Sequence, residues 1–188
     1  MGLLIFFLFL ALFLSFICSI MEAVLLSTPL SFFKIKEEKG GKAAKGLVDL
    51  KKNIDRPLSA ILSLNTVAHT IGAAGVGAQA TKIFGEAYFG IISAILTILI
   101  LIFSEIIPKT LGARYWRKLA VSAGVAVRVT IIITYPLVII SALISNIFSK
   151  NSSEKSTSRE EISALANIGQ EEGIFGEKEN KIDRKSVV

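Results

Sequence analysis

Glu105 is an acidic residue at the end of a long apolar segment. The run that precedes it, residues 87–104, contains no ionised side chain. A carboxylate inside hydrocarbon is strongly destabilised unless it is paired, hydrated or bound to a cation. Pro108 follows shortly afterwards; it cannot donate a backbone hydrogen bond and can leave nearby carbonyl oxygens free. This combination indicates a cation site inside a membrane.

Two other apolar segments carry oxygen-bearing side chains. Ser15, Ser19 and Glu22 are spaced i, i+4 and i+7, so a helix places them on one face. Asn65 and His69 are spaced i and i+4 and share a face of another helix. Hydroxyl, amide and carboxylate oxygens are the ligands that hard cations such as Mg²⁺ and Ca²⁺ prefer.

The candidate ligands fall at a similar depth. With a rise of about 1.5 Å per residue, Ser19, Asn65 and Glu105 each lie in the inner half of the bilayer when their segments are taken as spans. One carboxylate among neutral donors would hold an ion weakly enough to release it, as transport requires.

The acidic residues also have structural alternatives. Glu105 can form an ion pair with Lys109, which lies at i+4. Lys109 can instead extend to the headgroups and leave the carboxylate free. Glu22 can pair with a basic group near the inner surface or be protonated. The residues alone leave these possibilities open.

The neutral residues have alternatives as well. Ser15 and Ser19 can donate to the carbonyl four residues earlier in their own helix. Asn65 can hydrogen-bond across a helix interface, and His69 is more often a helix-contact residue than a ligand. Cys18 is typical of a small buried hydrophobe. With one cysteine and one histidine, the chain cannot build a Cys/His site for zinc or copper.

The composition is that of an integral membrane protein, with 52% hydrophobic residues and a mean hydropathy of +0.63. A helix needs about 20 apolar residues to cross the bilayer core. The pattern predicts an all-α membrane fold with spanning helices over about residues 3–32, 57–80 and 87–110. We expect Asp55 to cap the second helix and Pro57 to occupy its first turn.

Three further segments lie outside these predicted spans. For residues 129–149, composition favours a fourth span, and a hydrophobic belt at the inner surface is the alternative. Residues 42–52 alternate apolar and charged positions at helical spacing, which predicts a helix at the interface. From Lys150 onward the sequence is polar and too short to bury a core of its own, so we interpret it as a linker or the start of a second domain.

The net charge of +6 is concentrated beside the apolar segments, in residues 34–56 and 109–128. The positive-inside rule places both in the cytoplasm and the N-terminus outside. These clusters can contact anionic lipid headgroups, so nucleic-acid binding is the weaker interpretation. The sequence has no HExxH or GxSxG motif, and we do not expect an enzyme.

Several motifs resemble the CorC/CNNM family of magnesium transporters. They are residues 15–23 (Ser-x3-Ser-x2-Glu-Ala), residues 41–65, and residues 102–109 (Ile-Phe-Ser-Glu-Ile-Ile-Pro-Lys), the most specific of the set. The acidic stretch 171–179 is similar to the linker before the family's paired CBS nucleotide-binding modules. The resemblance covers residues 3–182.

The resemblance implies three transmembrane helices, juxtamembrane helices that form a belt, a homodimer, an outside N-terminus and a cytoplasmic C-terminus. It places residues 129–149 in the belt rather than across the membrane. Residues 1–150 would form the membrane domain, and residues 151–182 an acidic, helical cytoplasmic tail. ATP would act only through the CBS pair, which the sequence lacks. Residues 183–188 can be encoded by DNA that reads like a sequencing adapter, so we expect a non-native tail there.

The resemblance also implies a magnesium site between the three helices. Its strongest candidate ligands are Ser19, Asn65 and Glu105, and its weaker candidates are Ser15 and Glu22. Two positions depart from the family pattern: His69 stands where a second Asn is common, and Ser104 where Gly is common. Either can alter ion preference or access to carbonyl oxygens.

We therefore expect a secondary transporter of Mg²⁺ in the plasma membrane, which exposes its site alternately to the two sides. The alternative is a non-transporting Mg²⁺ sensor or accessory membrane subunit that binds the ion through the same residues.

Overall fold

Three helical spans dominate the computed structural model, which describes residues 1–40 and 45–140. The first span is α1 (Gly2–Ser27), the second is α4 (Asp55–Phe84), and the third joins a short 3-10 turn (Glu86–Tyr88), α5 (Phe89–Leu99), a π-helical segment (Ile100–Ile106) and α6 (Ile107–Arg114). Over the described residues these three spans are long and apolar enough to cross a membrane. The predicted all-α membrane fold with three spans is confirmed.

The first span is shorter than predicted. Helix α1 ends at Ser27, Thr28 adopts an extended backbone, and a second helix, α2 (Leu30–Glu38), begins after Pro29. The predicted helix over 3–32 was wrong at this end. Pro29 has no N–H to continue the helix, and it disfavours helical backbone in the residue before it.

The second span is longer than predicted, and its start differs. Helix α4 begins at Asp55 with Ile54 as the N-terminal flanking residue, and no side chain caps it. The predicted cap by Asp55 was therefore wrong: its carboxylate lies in the first turn, where it complements the helix dipole.

The third span changes helical register just before Pro108. The segment Ile100–Ile106 is π-helical, and the Ile107 N–H donates to the Ile102 carbonyl, five residues back. Pro108 has no N–H, so the carbonyl of Phe103 or Ser104, at i−5 or i−4, receives no helix hydrogen bond from it. Wide turns of this kind often occur at functional sites. The expected break in the backbone ladder is observed, and Glu105 lies in it.

Helices α2, α3 (Leu47–Lys52) and α7 (Trp116–Ile133) pack at one end of the bundle. Their buried side chains form one apolar cluster with the end of α1; it comprises Val24, Phe33, Leu47, Val48, Ala120 and Ala123. Helix α3 begins after Gly46, whose φ of 79° is the left-handed conformation that glycine tolerates. Residues 42–44 of the predicted interfacial helix lie outside the described residues.

Lys51 connects these helices to the first span. Its Nζ donates to the carbonyl oxygens of Leu25 and Leu26, at 2.8 and 3.1 Å. These carbonyls belong to the last turn of α1 and have no helical N–H partner of their own. Burial lowers the pKa of the Lys51 ammonium, and the two hydrogen bonds offset part of that desolvation.

The run 129–149 does not form one continuous helix over its described part. Helix α7 ends at Ile133, Thr134 forms a turn, and residues 135–140 are helical again. Val127 and Ile131 of α7 pack against the core of α1 and α4, and α7 is not among the candidate spans. Residues 141–149, the acidic linker 151–182 and the tail 183–188 lie outside the described residues.

Helix α1 lies between the other two spans and approaches both closely. Gly72 of α4 contacts Ala11, and Gly75 contacts the Phe7 ring, so that any Cβ at either glycine would clash. At Gly112 of α6, a Cβ would lie 2.8 Å from Ala23 Cβ and 3.0 Å from the Ile20 carbonyl oxygen. Small residues that let helix backbones approach are typical of membrane interfaces. This closeness brings polar side chains of different spans within hydrogen-bonding distance.

We predict that Gly72→Ala destabilises the bundle by about 1–3 kcal/mol, because the added methyl overpacks the contact with α1. The matched control is Gly90→Ala in α5, where nothing lies within 4 Å of an added Cβ. Thermal unfolding of the purified protein in detergent measures both. Equal melting temperatures for the two variants would contradict this account of the packing.

Candidate functional site

Hydrogen bonds connect polar side chains from all three spans. Ser15 Oγ of α1 donates to Asn65 Oδ1 of α4 at 2.5 Å. Asn65 Nδ2 lies 3.3 Å from Glu105 Oε1, on the π-helical segment of the third span, and donates to it. His69 Nε2 lies 2.5 Å from the same Ser15 Oγ. One continuous line of polar groups therefore crosses the bundle.

Lys109 provides the positive charge of this region. Its Nζ lies 3.0 Å from Glu105 Oε2 and 3.3 Å from Glu22 Oε2. Of the three side chains Glu22 is the most buried, at 17% exposed, and Lys109 is 44% exposed. The ion pair at i+4 that was one alternative for Glu105 is thus present, and Glu22 shares it. One ammonium faces two carboxylates, so the cluster keeps a net negative charge when all three are ionised.

Ser19 lies one turn from Ser15 on α1 and differs from it in its contacts. Both serines are fully buried. Ser19 Oγ has no hydrogen-bond partner among the described residues, not even a carbonyl of its own helix. A buried hydroxyl left unsatisfied costs about 1–3 kcal/mol. Such an orphaned oxygen is the kind of group that an ion or ligand would satisfy.

Ser104 occupies the position next to Glu105 and faces α1. Its side chain is fully buried, and its Oγ donates to the Leu12 carbonyl at 3.4 Å. This contact ties the π-helical segment to α1.

The structure brings four of the five predicted ligands into one network. Ser15, Asn65 and Glu105 are joined by direct hydrogen bonds, and Glu22 joins through Lys109; Ser19 lies beside them without a bond. That these residues bind a metal stays a prediction. His69 and Lys109 were not among the predicted ligands, although each lies at i+4 from one, which is the spacing that signals a shared face.

The donor set restricts what the cluster can hold. Among the described residues, no three His, Cys, Asp or Glu side chains lie close enough to form a metal group. A cation here would therefore take its remaining ligands from hydroxyl, amide or carbonyl oxygens. This is oxygen coordination of the kind that Mg²⁺ and Ca²⁺ accept.

The fold and the site define a multi-pass membrane protein with a charged, hydrogen-bonded cluster between its spans. Residues 5–179 match the model of the CNNM family, the cyclin M transmembrane N-terminal domain. The chain therefore belongs to this family. The matched family model is that of a transmembrane domain, in agreement with the three candidate spans among the described residues.

Bacterial relatives agree with this assignment. The UPF0053 protein sll1254 of Synechocystis is 38% identical over 169 residues, covering 89% of this chain and 49% of the relative. A UPF0053 protein of Haemophilus influenzae is 32% identical over 69% of this chain and 30% of its own length. The UPF0053 inner membrane protein YfjD of Escherichia coli is 29% identical over 54% of this chain and 24% of its own length. The chain spans about half or less of the length of these relatives.

We predict that Lys109→Met lowers the melting temperature, because it leaves the carboxylates of Glu22 and Glu105 close together without a counter-charge. We expect a cost of about 1–2 kcal/mol, less than for a fully buried pair because Lys109 is partly exposed. Millimolar Mg²⁺ should restore part of the loss. The control is Lys82→Met, an exposed lysine in the last turn of α4. A melting temperature equal to that of the control would contradict the bridging role.

Proposed function

We propose that this chain binds Mg²⁺ between its three spans and transports it across the membrane by exposing the site alternately to the two sides. The observation that supports this most is the hydrogen-bonded line from Ser15 through Asn65 to Glu105, because it gathers oxygen ligands from three different helices. A site shared between helices can be opened or closed by small relative movements of those helices.

In this proposal Ser19, Asn65 and Glu105 are the main ligands, with Ser15 and Glu22 beside them. Mg²⁺ requires near-octahedral oxygen coordination at about 2.0–2.1 Å and keeps some of its water. The orphaned Ser19 hydroxyl would gain its missing partner from the ion or from its bound water. Lys109 competes with the ion for the Glu105 carboxylate, and the other main ligands are neutral, which favours moderate affinity and release.

Lys109 has a role in the empty site. While no ion is bound, its ammonium compensates one of the two negative charges of Glu105 and Glu22, which together would otherwise be strongly unfavourable at membrane depth. Mg²⁺ would compete with Lys109 for Glu105, and Lys109 would return when the ion leaves. Glu105 then has a cation beside it in both the loaded and the empty site.

The cellular context is part of the proposal. We place the protein in the plasma membrane with its N-terminus outside and its basic segments at the cytoplasmic face, against anionic headgroups. We expect a homodimer. A CBS pair after the acidic segment would let ATP with Mg²⁺ regulate the membrane domain. Export driven by the gradient of a second ion is the transport mode we favour.

The decisive variant is Glu105→Gln, which keeps the size and removes the charge. We predict that wild-type protein in liposomes carries Mg²⁺, measured with an enclosed fluorescent indicator, and that Glu105→Gln reduces the rate at least tenfold, as expected for loss of a charged ligand. Glu86→Gln, at the exposed 3-10 turn, should leave the rate unchanged.

Two outcomes would count against transport through this site. Unchanged flux in Glu105→Gln would remove Glu105 from the pathway. Mg²⁺ binding by the wild type without any flux would instead favour a sensor or accessory subunit, which uses the same residues but does not move the ion.

A further inference from the structure

The direction of the hydrogen bonds around Ser15 follows from their partners. A hydroxyl has a single proton to donate. Asn65 turns its amide nitrogen to Glu105 Oε1, so its Oδ1 faces Ser15 and accepts that proton. His69 Nε2 lies 2.5 Å from the same Ser15 Oγ and must therefore carry a hydrogen and donate it.

All donors in this line point the same way, from His69 to Ser15, from Ser15 to Asn65, and from Asn65 to the Glu105 carboxylate. Such a chain is cooperative, since each bond polarises the next. It satisfies the polar groups of a site that holds no ion. It also occupies the Asn65 and Ser15 oxygens with protein donors.

A bound cation needs the Asn65 and Ser15 oxygens to be free of protein donors. Asn65 Oδ1 must turn its lone pairs to the ion, so the Ser15 proton needs a new acceptor. The nearest group on the other side of Ser15 is His69 Nε2. A neutral imidazole offers a lone pair at Nε2 when its proton sits on Nδ1, so the same nitrogen can accept without moving.

We propose that His69 is a positioning residue for the ion site: its Nε2 donates a hydrogen bond to Ser15 in the empty state and accepts one from Ser15 in the loaded state. The neutral ring keeps its charge in this change, because the Nε2 proton passes to water at the half-buried ring and water returns a proton to Nδ1. The new tautomer frees the oxygens of Asn65 and Ser15 for the cation. This inference rests on the proposed function, because it describes how that site changes when an ion enters. His69 itself does not contact the ion in this proposal.

The first test is a double-mutant cycle on Mg²⁺ binding by the purified 188-residue chain in lipid nanodiscs. His69→Leu should weaken Mg²⁺ binding roughly tenfold, because Ser15 loses its acceptor. His69→Asn, which keeps a carbonyl acceptor, should stay within about threefold of wild type. In a Ser15→Ala background, His69→Leu should have no further effect, because His69 acts only through that hydroxyl.

The second test uses the fact that the chain has one histidine. Protein labelled with ¹⁵N-histidine and purified without a polyhistidine tag gives the signals of His69 alone. We expect Nε2 to be protonated without Mg²⁺ and unprotonated at saturating Mg²⁺. This readout needs no mutation, so it does not depend on the folding of a variant.

The outcomes separate this inference from the proposed function. One outcome is that Glu105→Gln abolishes Mg²⁺ binding as proposed. An unchanged His69 tautomer, or an equal effect of His69→Leu with and without Ser15, would then overturn the role of His69 alone. Wild-type protein that binds no Mg²⁺ would overturn both. Coupled effects and a tautomer change would support both.

Discussion

The arrangement of the three spans depends on a cation that stabilises two carboxylates between apolar helices. Glu22 and Glu105 come from different spans, and Lys109 is the cation that both contact. Without that ammonium, two like charges would share a poorly solvated place, which is unfavourable by repulsion and by desolvation. Glu105 needs a counter-charge at all times. Any cation that binds there must therefore replace Lys109, and Lys109 must take the place of the cation after it leaves.

Packing determines whether the cluster can exist. Gly72 and Gly112 let α4 and α6 approach α1 closely, so short side chains such as Ser15 and Asn65 reach across the interfaces. At the C-terminal end of α1, Lys51 joins α3 to the last turn of the helix. The position of α3 is therefore coupled to that of α1, which carries the serines of the cluster.

Much of this arrangement follows from the sequence, for identifiable reasons. Hydropathy predicts the three spans, although it also favoured a fourth over 129–149, and helical spacing places Ser15, Ser19 and Glu22 on one face. The break at Pro29 was missed because apolar residues continue past it, although a proline removes a helix hydrogen bond whatever the hydropathy. The contact between Lys109 and Glu22 joins two helices, and periodicity within one helix cannot reveal it. Whether Ser19 Oγ has a hydrogen-bond partner depends on all its neighbours, so only the structure could show that it has none among the described residues.

The central claim is that oxygens from three helices replace part of the water shell of a divalent ion. The most direct measurement is a crystal structure of the chain with Mn²⁺ as an anomalous substitute for Mg²⁺. The account predicts an anomalous peak within about 2.2 Å of oxygens of Glu105, Asn65 and Ser19, with the Lys109 ammonium displaced from Glu105. A structure in saturating Mn²⁺ that shows no peak there, and Lys109 still between the two carboxylates, would contradict it.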